Sequence, residues 1–162
     1  QYTQITLTDR FLPLIGLDFR FDNNFSLSSE FRKSRDISLS LENSQLSTLE
    51  EKAYIAGIGY RKLNARLPFQ IFADRNWKND MNFRMDFALN DRRIGRYRTG
   101  VSYEEITGGN KSLTFNPSLD YTINRLYNIR LFYNSNAIRP YTSQTFATSY
   151  TYFGVNLRIL FQ

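Results

Sequence analysis

From Leu17 to Phe161 the chain returns again and again to an apolar side chain at every second position, with polar or charged residues between. Successive side chains of a strand point to opposite faces, whereas a helix needs apolar residues three and four apart, so a period of two selects β-structure. Leu17, Phe19 and Phe21 alternate with Asp18, Arg20 and Asp22. After Asn23-Asn24, Phe25, Leu27 and Phe31 lie opposite Ser26, Ser28, Glu30 and Arg32. Lys33 to Asp36 reads as a turn, after which Ile37, Leu39 and Leu41 alternate with Ser38, Ser40 and Glu42. Strands this closely spaced leave no room for helical crossovers, so they pair as antiparallel hairpins.

The polar run Asn43–Lys52 reads as a loop, followed by a strand carrying Tyr54, Ala56, Ile58 and Tyr60. Gly57 and Gly59 on its other face imply close approach or bending. Leu63–Lys78, with Pro68 and Arg75-Asn76-Trp77, reads as an irregular excursion. Met81, Phe83, Met85, Phe87 and Leu89 then face away from Asn82, Arg84, Asp86, Ala88 and Asn90. Asp91–Arg93 reads as a turn into Tyr97, Thr99, Val101 and Tyr103, and Gly108–Asn110 as a turn into Leu113, Phe115, Leu119 and Tyr121. Asn124-Arg125 leads to Tyr127, Ile129, Leu131 and Tyr133. Asn134–Ser149 reads as a surface loop before the last strand, Phe153, Val155, Leu157, Ile159 and Phe161 against Gly154, Asn156, Arg158 and Leu160. The expectation is about nine strands of roughly ten residues, the length of a tilted strand crossing a bilayer. No linker divides them, so residues 1–162 read as a single-domain unit.

Mean hydropathy is -0.47, yet Phe and Tyr contribute 14 and 11 residues. Disordered chains lack aromatics, whereas a membrane strand buries only alternate residues against lipid and keeps its mean hydropathy low. Soluble antiparallel β-structure has the same composition. Three features favour the membrane. Charged residues sit inside strands, as in Asp18/Arg20 and Arg84/Asp86. Tyr54, Tyr60, Tyr97, Tyr103, Tyr121, Tyr127 and Tyr133 lie near the expected strand ends. Longer loops, at 43–52, 62–79 and 134–149, alternate with short turns. The fold class expected is therefore an all-β, antiparallel transmembrane barrel. Its lumen-facing polar side chains are Arg20, Arg32, Arg84, Asp86, Asn90, Arg130, Asn156 and Arg158. Its lipid-facing set is Leu17, Phe19, Phe83, Met85, Phe87, Leu131, Val155 and Leu157.

Catalysis finds no foothold in this composition. With no His and no Cys, the chain lacks the usual general base, the usual zinc ligands and any disulfide. Asp86, Asp91, Asp120, Glu104 and Glu105 read as wall or loop solvation and not as a metal or acid/base cluster. Gly57-Ile58-Gly59 and Gly108-Gly109 lack the downstream Lys of a phosphate loop. The expectation is no enzyme, no cofactor and no metal. The net charge of +6 suits anionic headgroups. The run DRRIGRYR at 91–98 reads as a turn with Arg at headgroup level, and not as a nucleic-acid surface. The opening QYTQITLTDR has no secretion signal, so either the signal has been removed or the chain is an excerpt of a longer secreted polypeptide; the expectation is an excerpt, because the pattern begins and ends inside strands.

Several stretches resemble the C-terminal region of the SprA/Sov family, the outer-membrane translocon of type 9 secretion and gliding motility in Bacteroidota. They are DRFLPLIGLDFRF (9–21), FRKSRDISLSLENSQL (31–46), GIGYRKL (57–63), PF (68–69), KNDMNFRMDFALNDRR (78–93), LDYTINRLYNIRLFY (119–133) and YFGVNLRILF (152–161). The last stretch also resembles the outer-membrane insertion signal, with Phe153, Val155, Leu157, Ile159 and Phe161 alternating, although Gln162 follows the aromatic. The resemblance implies a multi-pass protein of the bacterial outer membrane, contributing the final hairpins of a very large single-chain barrel that exports folded cargo. It implies as partners outer-membrane lipid, the rest of the translocon barrel, a PorV-like shuttle protein, a periplasmic plug protein and cargo bearing a type 9 C-terminal signal. A small stand-alone outer-membrane barrel or porin-like channel, and a soluble antiparallel β-sandwich binding module, are the alternatives left open.

Overall fold

The computed structural model describes residues 4–42, 44–65, 79–97, 104–123, 126–143 and 145–161. They form seven strands: β1 (Gln4–Arg20), β2 (Phe25–Ser40), β3 (Gln45–Ala65), β4 (Asn79–Tyr97), β5 (Glu105–Thr122), β6 (Tyr127–Pro140) and β7 (Thr148–Ile159). All join one antiparallel sheet in sequence order, with β1 and β7 as its two open edges.

The first hairpin shows how the local sequence sets the register. The Phe21 N–H donates to the Phe25 carbonyl at 2.9 Å, and the Asn24 N–H donates to the Phe21 carbonyl at 3.1 Å. Asn24 takes φ 62, which Asn tolerates better than most residues, and the Asn23 side-chain oxygen accepts the Phe25 N–H at 3.2 Å. This is the three-residue loop that ends on a left-handed position. The resulting register pairs Arg20 with Ser26 and Phe19 with Leu27. Pro13, which has no N–H to give the ladder, lies on edge strand β1 where the register shifts between Phe11 and Ile15.

The strands of the described residues are longer than the sequence expectation, at 12 to 21 residues each, and the two strands expected either side of Lys33–Asp36 are one. Lys33–Asp36, expected as a turn, lies inside β2; Gln45–Lys52, expected as loop, belongs to β3. Asp91–Arg93 continues β4, Gly108–Asn110 continues β5, and Asn134–Pro140 continues β6. In each case the backbone ladder carries on through a polar run that looked like a break, and in β2, β3 and β4 some of its charged side chains have cross-strand partners, Lys33 with Glu50 and Arg92 with Glu51. The expected alternation of long and short connections is also revised. β3 ends and β4 begins at the same end of the sheet as the short Asp22–Asn24 turn, opposite to the β2–β3 and β6–β7 connections. The expectations for Pro68, Arg75, Asn76, Trp77, Thr99, Val101, Tyr103, Asn124, Arg125 and Gln162 lie outside the described residues.

In β5 the register slips by one residue between Ile94 and Gly95, opposite Gly108 and Ile106. Next to this bulge Gly109 takes φ 113, and a Cβ there would stand 2.1 Å from the Arg92 carbonyl oxygen. Only glycine fits such a position. Gly109→Ala is expected to cost about 1–3 kcal/mol, whereas Gly108→Ala, whose Cβ would make ordinary van der Waals contact with Ile94 at 3.6 Å, should stay within about 0.5 kcal/mol. Chemical denaturation of the two variants side by side checks this, and equal losses would contradict it.

Candidate functional site

The sheet has no second layer among the described residues. Among the described residues the buried hydrophobic side chains are Ala65 and Tyr121 alone, whereas Leu17 is 50% exposed, Phe19 48% and Val155 60%. A folded globular chain of this mass presents about 8,400 Å² to solvent; this one presents 12692 Å². At about 25 cal/mol per Å² the apolar half of that excess amounts to some tens of kcal/mol, more than the whole stability of an ordinary domain. The face carrying these residues therefore needs a covering.

Directly paired residues of antiparallel strands share a face, so the register sorts every side chain. On one face run Arg20, Ser26, Gly59, Arg84 and Ser118 in one row and Asp18, Ser28, Gly57, Asp86 and Asn116 in the next. Asp120, Arg130 and Asn156 form another row, and Arg158 pairs with Asn128. Arg32 and Asn90 share this face through Ala53. All eight polar residues singled out from the sequence thus lie on one side. Shallow depressions run along it, one lined by Asp18, Arg20, Arg84 and Asp86, the next by Arg84, Asp86, Arg130, Asn134 and Asn156. Ion pairs on this face join Arg32 to Glu30 at 2.6 Å, Arg61 to Asp80 at 2.8 Å, Arg92 to Glu51 at 3.0 Å and Arg130 to Asp120 at 3.8 Å. Gly57 and Gly59 make room for their neighbours: a Cβ on either would stand 2.5 or 2.4 Å from the hydroxyl of Ser28 or Ser26.

The opposite face carries Leu17, Phe19, Phe83, Met85, Phe87, Leu131, Val155 and Leu157, the whole apolar set singled out from the sequence, together with Phe153 and Ile159. Phe25, Tyr60, Phe83, Leu119, Leu131 and Val155 form one continuous row. The belt slants. Its border lies at Phe153 and Tyr133 in β7 and β6, at Leu113, Leu89, Tyr54 and Phe31 in β5 to β2, and at Phe11 in β1. That is a drift of about six residues over the width of the sheet, a slope of about 35° at ~3.4 Å per residue and ~4.8 Å per strand. Tyr54 and Tyr133 sit on this border, and Tyr60, Tyr121 and Tyr127 near the other. The tyrosines expected near strand ends therefore mark belt edges, with Tyr54 in mid-strand and Tyr97 well beyond the belt.

Past the border the same face turns ionic, a feature the sequence reading took for turns and loops. Lys33, Lys52, Asp91, Lys111 and Arg139 fall in one row and Asp9, Arg35, Glu50 and Arg93 in the next. Tyr141, whose N–H reaches the Gly109 carbonyl at 3.1 Å, organises the cluster. Its hydroxyl donates to Asp91 at 2.6 Å, Arg93 donates to that hydroxyl at 3.1 Å, and the Arg93 guanidinium lies 5.2 Å from the Tyr141 ring centre. Nothing in the spacing of Asp91 and Tyr141 marks them as partners, because only the β4–β5–β6 register brings them together. Beyond these rows Ile37, Leu39, Leu46 and Tyr97 form a second, smaller apolar patch.

The other carboxylates expected to be solvating are scattered. Asp86 and Asp120 lie on the polar face, Asp91 on the apolar one, and Glu104 accepts from the Thr48 hydroxyl. Among the described residues no group of three or more metal-ligating side chains converges, and no helix is long and apolar enough to cross a membrane.

The Asp91–Tyr141 contact ties the β6–β7 connection to β4, so Asp91→Asn and Tyr141→Phe should be coupled. A double-mutant cycle is expected to return about 1–2 kcal/mol, the scale of a hydrogen bond to a charged acceptor, and additive losses would contradict it. No protein-family model and no curated protein matches the chain.

Proposed function

We propose that this chain forms part of the wall of a transmembrane β-barrel in a bacterial outer membrane, with its polar face lining a water-filled channel. The observation that carries the reading is the uncovered, slanted apolar belt. Along β4 it runs from Met81 to Leu89, which is about 27 Å along the strand and about 21 Å across a bilayer at ~40° tilt. Lipid-facing belts of such barrels are about 25 Å tall with strands tilted ~35–45°, flanked by aromatic girdles. Height, slope and the bordering tyrosines agree with one another, and a soluble sandwich has no reason to slant its core to match. The open edges of β1 and β7 leave room for further strands on both sides, since a spanning sheet must close to satisfy its backbone.

The cargo rests on the resemblance to the SprA/Sov family. On that reading the wall belongs to the protein-conducting channel of type 9 secretion and gliding motility, with PorV-like and plug proteins and signal-bearing cargo as partners. The polar wall suits such a task. Arg20, Asp18, Arg84 and Asp86 line a hydrated strip in which no ion pair forms among the described residues, and a wet surface of mixed charge offers little apolar area for passing protein to adhere to.

The chain contains no cysteine, so single cysteines report cleanly. In intact outer membranes a water-soluble maleimide should label Asp86→Cys and Asn156→Cys but spare Phe87→Cys and Val155→Cys. A photoreactive acyl chain should crosslink only near the latter pair. Absence of lipid crosslinks at every position, in a chain soluble without detergent, would sink the membrane reading. The intact mass of the extracted polypeptide tests the translocon. A value far above 19.1 kDa supports it, and a mature species near 19.1 kDa replaces it with a small stand-alone β-protein.

A further inference from the structure

We infer that the ionic row bordering the apolar belt is a binding surface for the negatively charged phosphate headgroup of a membrane lipid whose acyl chains lie on the belt. The inference rests on the membrane reading above and adds to it a particular headgroup chemistry at a particular place. Lys33 pairs directly with Lys52 across β2 and β3, and Lys111 with Arg139 across β5 and β6, on the face that carries the apolar belt. Like charges directly opposite one another destabilise a sheet unless an anion intervenes. Glu50 of the adjoining row reaches Lys52 at 3.1 Å and Lys33 at 3.8 Å, and the one carboxylate in the row itself does not compensate the Lys111–Arg139 pair as well. Asp91 lies on the strand between them, takes the Tyr141 hydroxyl at 2.6 Å and Arg93 at 2.9 Å, and stands 3.9 Å from Lys111. Arg139, and Arg35 in the adjoining row, have no ion-pair partner among the described residues.

Position selects the anion. The row begins one side-chain step past Phe31, Tyr54, Leu89 and Leu113, where the belt ends. A molecule that fills the belt with hydrocarbon places its headgroup at that level. A phosphate there meets a row of lysine and arginine side chains that the protein's own carboxylates leave undercompensated. The polar face does not offer the same arrangement: its cations are interleaved with Glu30, Glu51, Asp80 and Asp120, and no hydrocarbon-binding belt adjoins them.

The test uses the full polypeptide in detergent and counts lipid adducts by native mass spectrometry, offering phosphatidylglycerol and phosphatidylcholine with identical acyl chains. The wild type should retain phosphatidylglycerol preferentially, and the preference should fall as salt rises. Arg35→Gln/Lys111→Gln/Arg139→Gln should reduce the preference by up to about fivefold for each cation removed. Arg35→Lys/Arg139→Lys should keep it, and so should Arg20→Gln/Arg84→Gln on the polar face. Circular dichroism of each variant verifies that the sheet is intact, and the lysine variant reports on charge should the triple variant fold poorly. Equal retention of both lipids by the wild type, or equal loss in the polar-face variant, overturns the inference while leaving the membrane reading standing. Failure to bind either lipid, in a chain soluble without detergent, overturns both.

Discussion

Everything in this structure depends on a sheet that, among the described residues, buries almost none of its apolar side chains. The backbone ladder satisfies the hydrogen-bonding groups within each strand pair, but among the described residues the apolar side chains it aligns have no second protein layer to meet. In water that surface is unaffordable on any reasonable hydrophobic coefficient. The ladder and the covering are therefore separate requirements. The described residues meet the first, while the second is met by whatever occupies the apolar side. On the proposed reading that covering is a bilayer, which would also account for the border residues by imposing a belt of fixed height and a slope set by strand tilt.

The faces of the sheet were legible in the sequence because the strand period is two and because Arg, Asp and Asn were kept strictly out of the apolar phase between Met81 and Leu89. The Asp22–Asn24 turn was legible for a local reason, namely that Asn tolerates the left-handed conformation. Strand length was not. Lys33–Asp36 and Asp91–Arg93 have the composition of turns, and single-sequence reasoning has no access to the partner that makes a charged position acceptable in a ladder. Lys33 is 3.8 Å from Glu50, and Lys52 is 3.1 Å from the same carboxylate. Such pairs are set by register, which emerges only when distant segments meet. The merging of two expected strands into β2 follows from that one blind spot.

The same blind spot hid how the polar face is packed. Gly57 and Gly59 read as sites of close approach, and the approaching groups are the hydroxyls of Ser26 and Ser28 on the neighbouring strand. At the other end of the sheet the Phe132 ring lies over Gly154, where a Cβ would stand 2.3 Å from it, and meets Tyr152 edge-on with ring centres 6.2 Å apart. An aromatic ring covering a glycine on the next strand is a recognised way to stabilise a thin position in a sheet. It places an apolar group on the polar face that the alternation pattern alone would class as an exception.

If the sheet is the wall of a protein-conducting channel, as proposed, its area bears on that channel's width. With strands ~4.8 Å apart and tilted ~40°, each strand adds about 6.3 Å to a barrel's circumference, so seven strands supply about 44 Å. A folded cargo domain of about 100 residues, with a radius of gyration of ~13 Å, is about 33 Å across. Leaving about 12 Å for the side chains that line the wall, the backbone cylinder must be about 45 Å wide, or about 140 Å around. The seven strands β1–β7 would then form roughly a third of it, and the edges of β1 and β7 would be seams to neighbouring strands in place of a closure with each other. A pore for small solutes has no such requirement. On the proposed reading, the passage of folded protein and the openness of this sheet are two sides of one geometric condition: seven strands would serve folded cargo only as an arc of a larger cylinder.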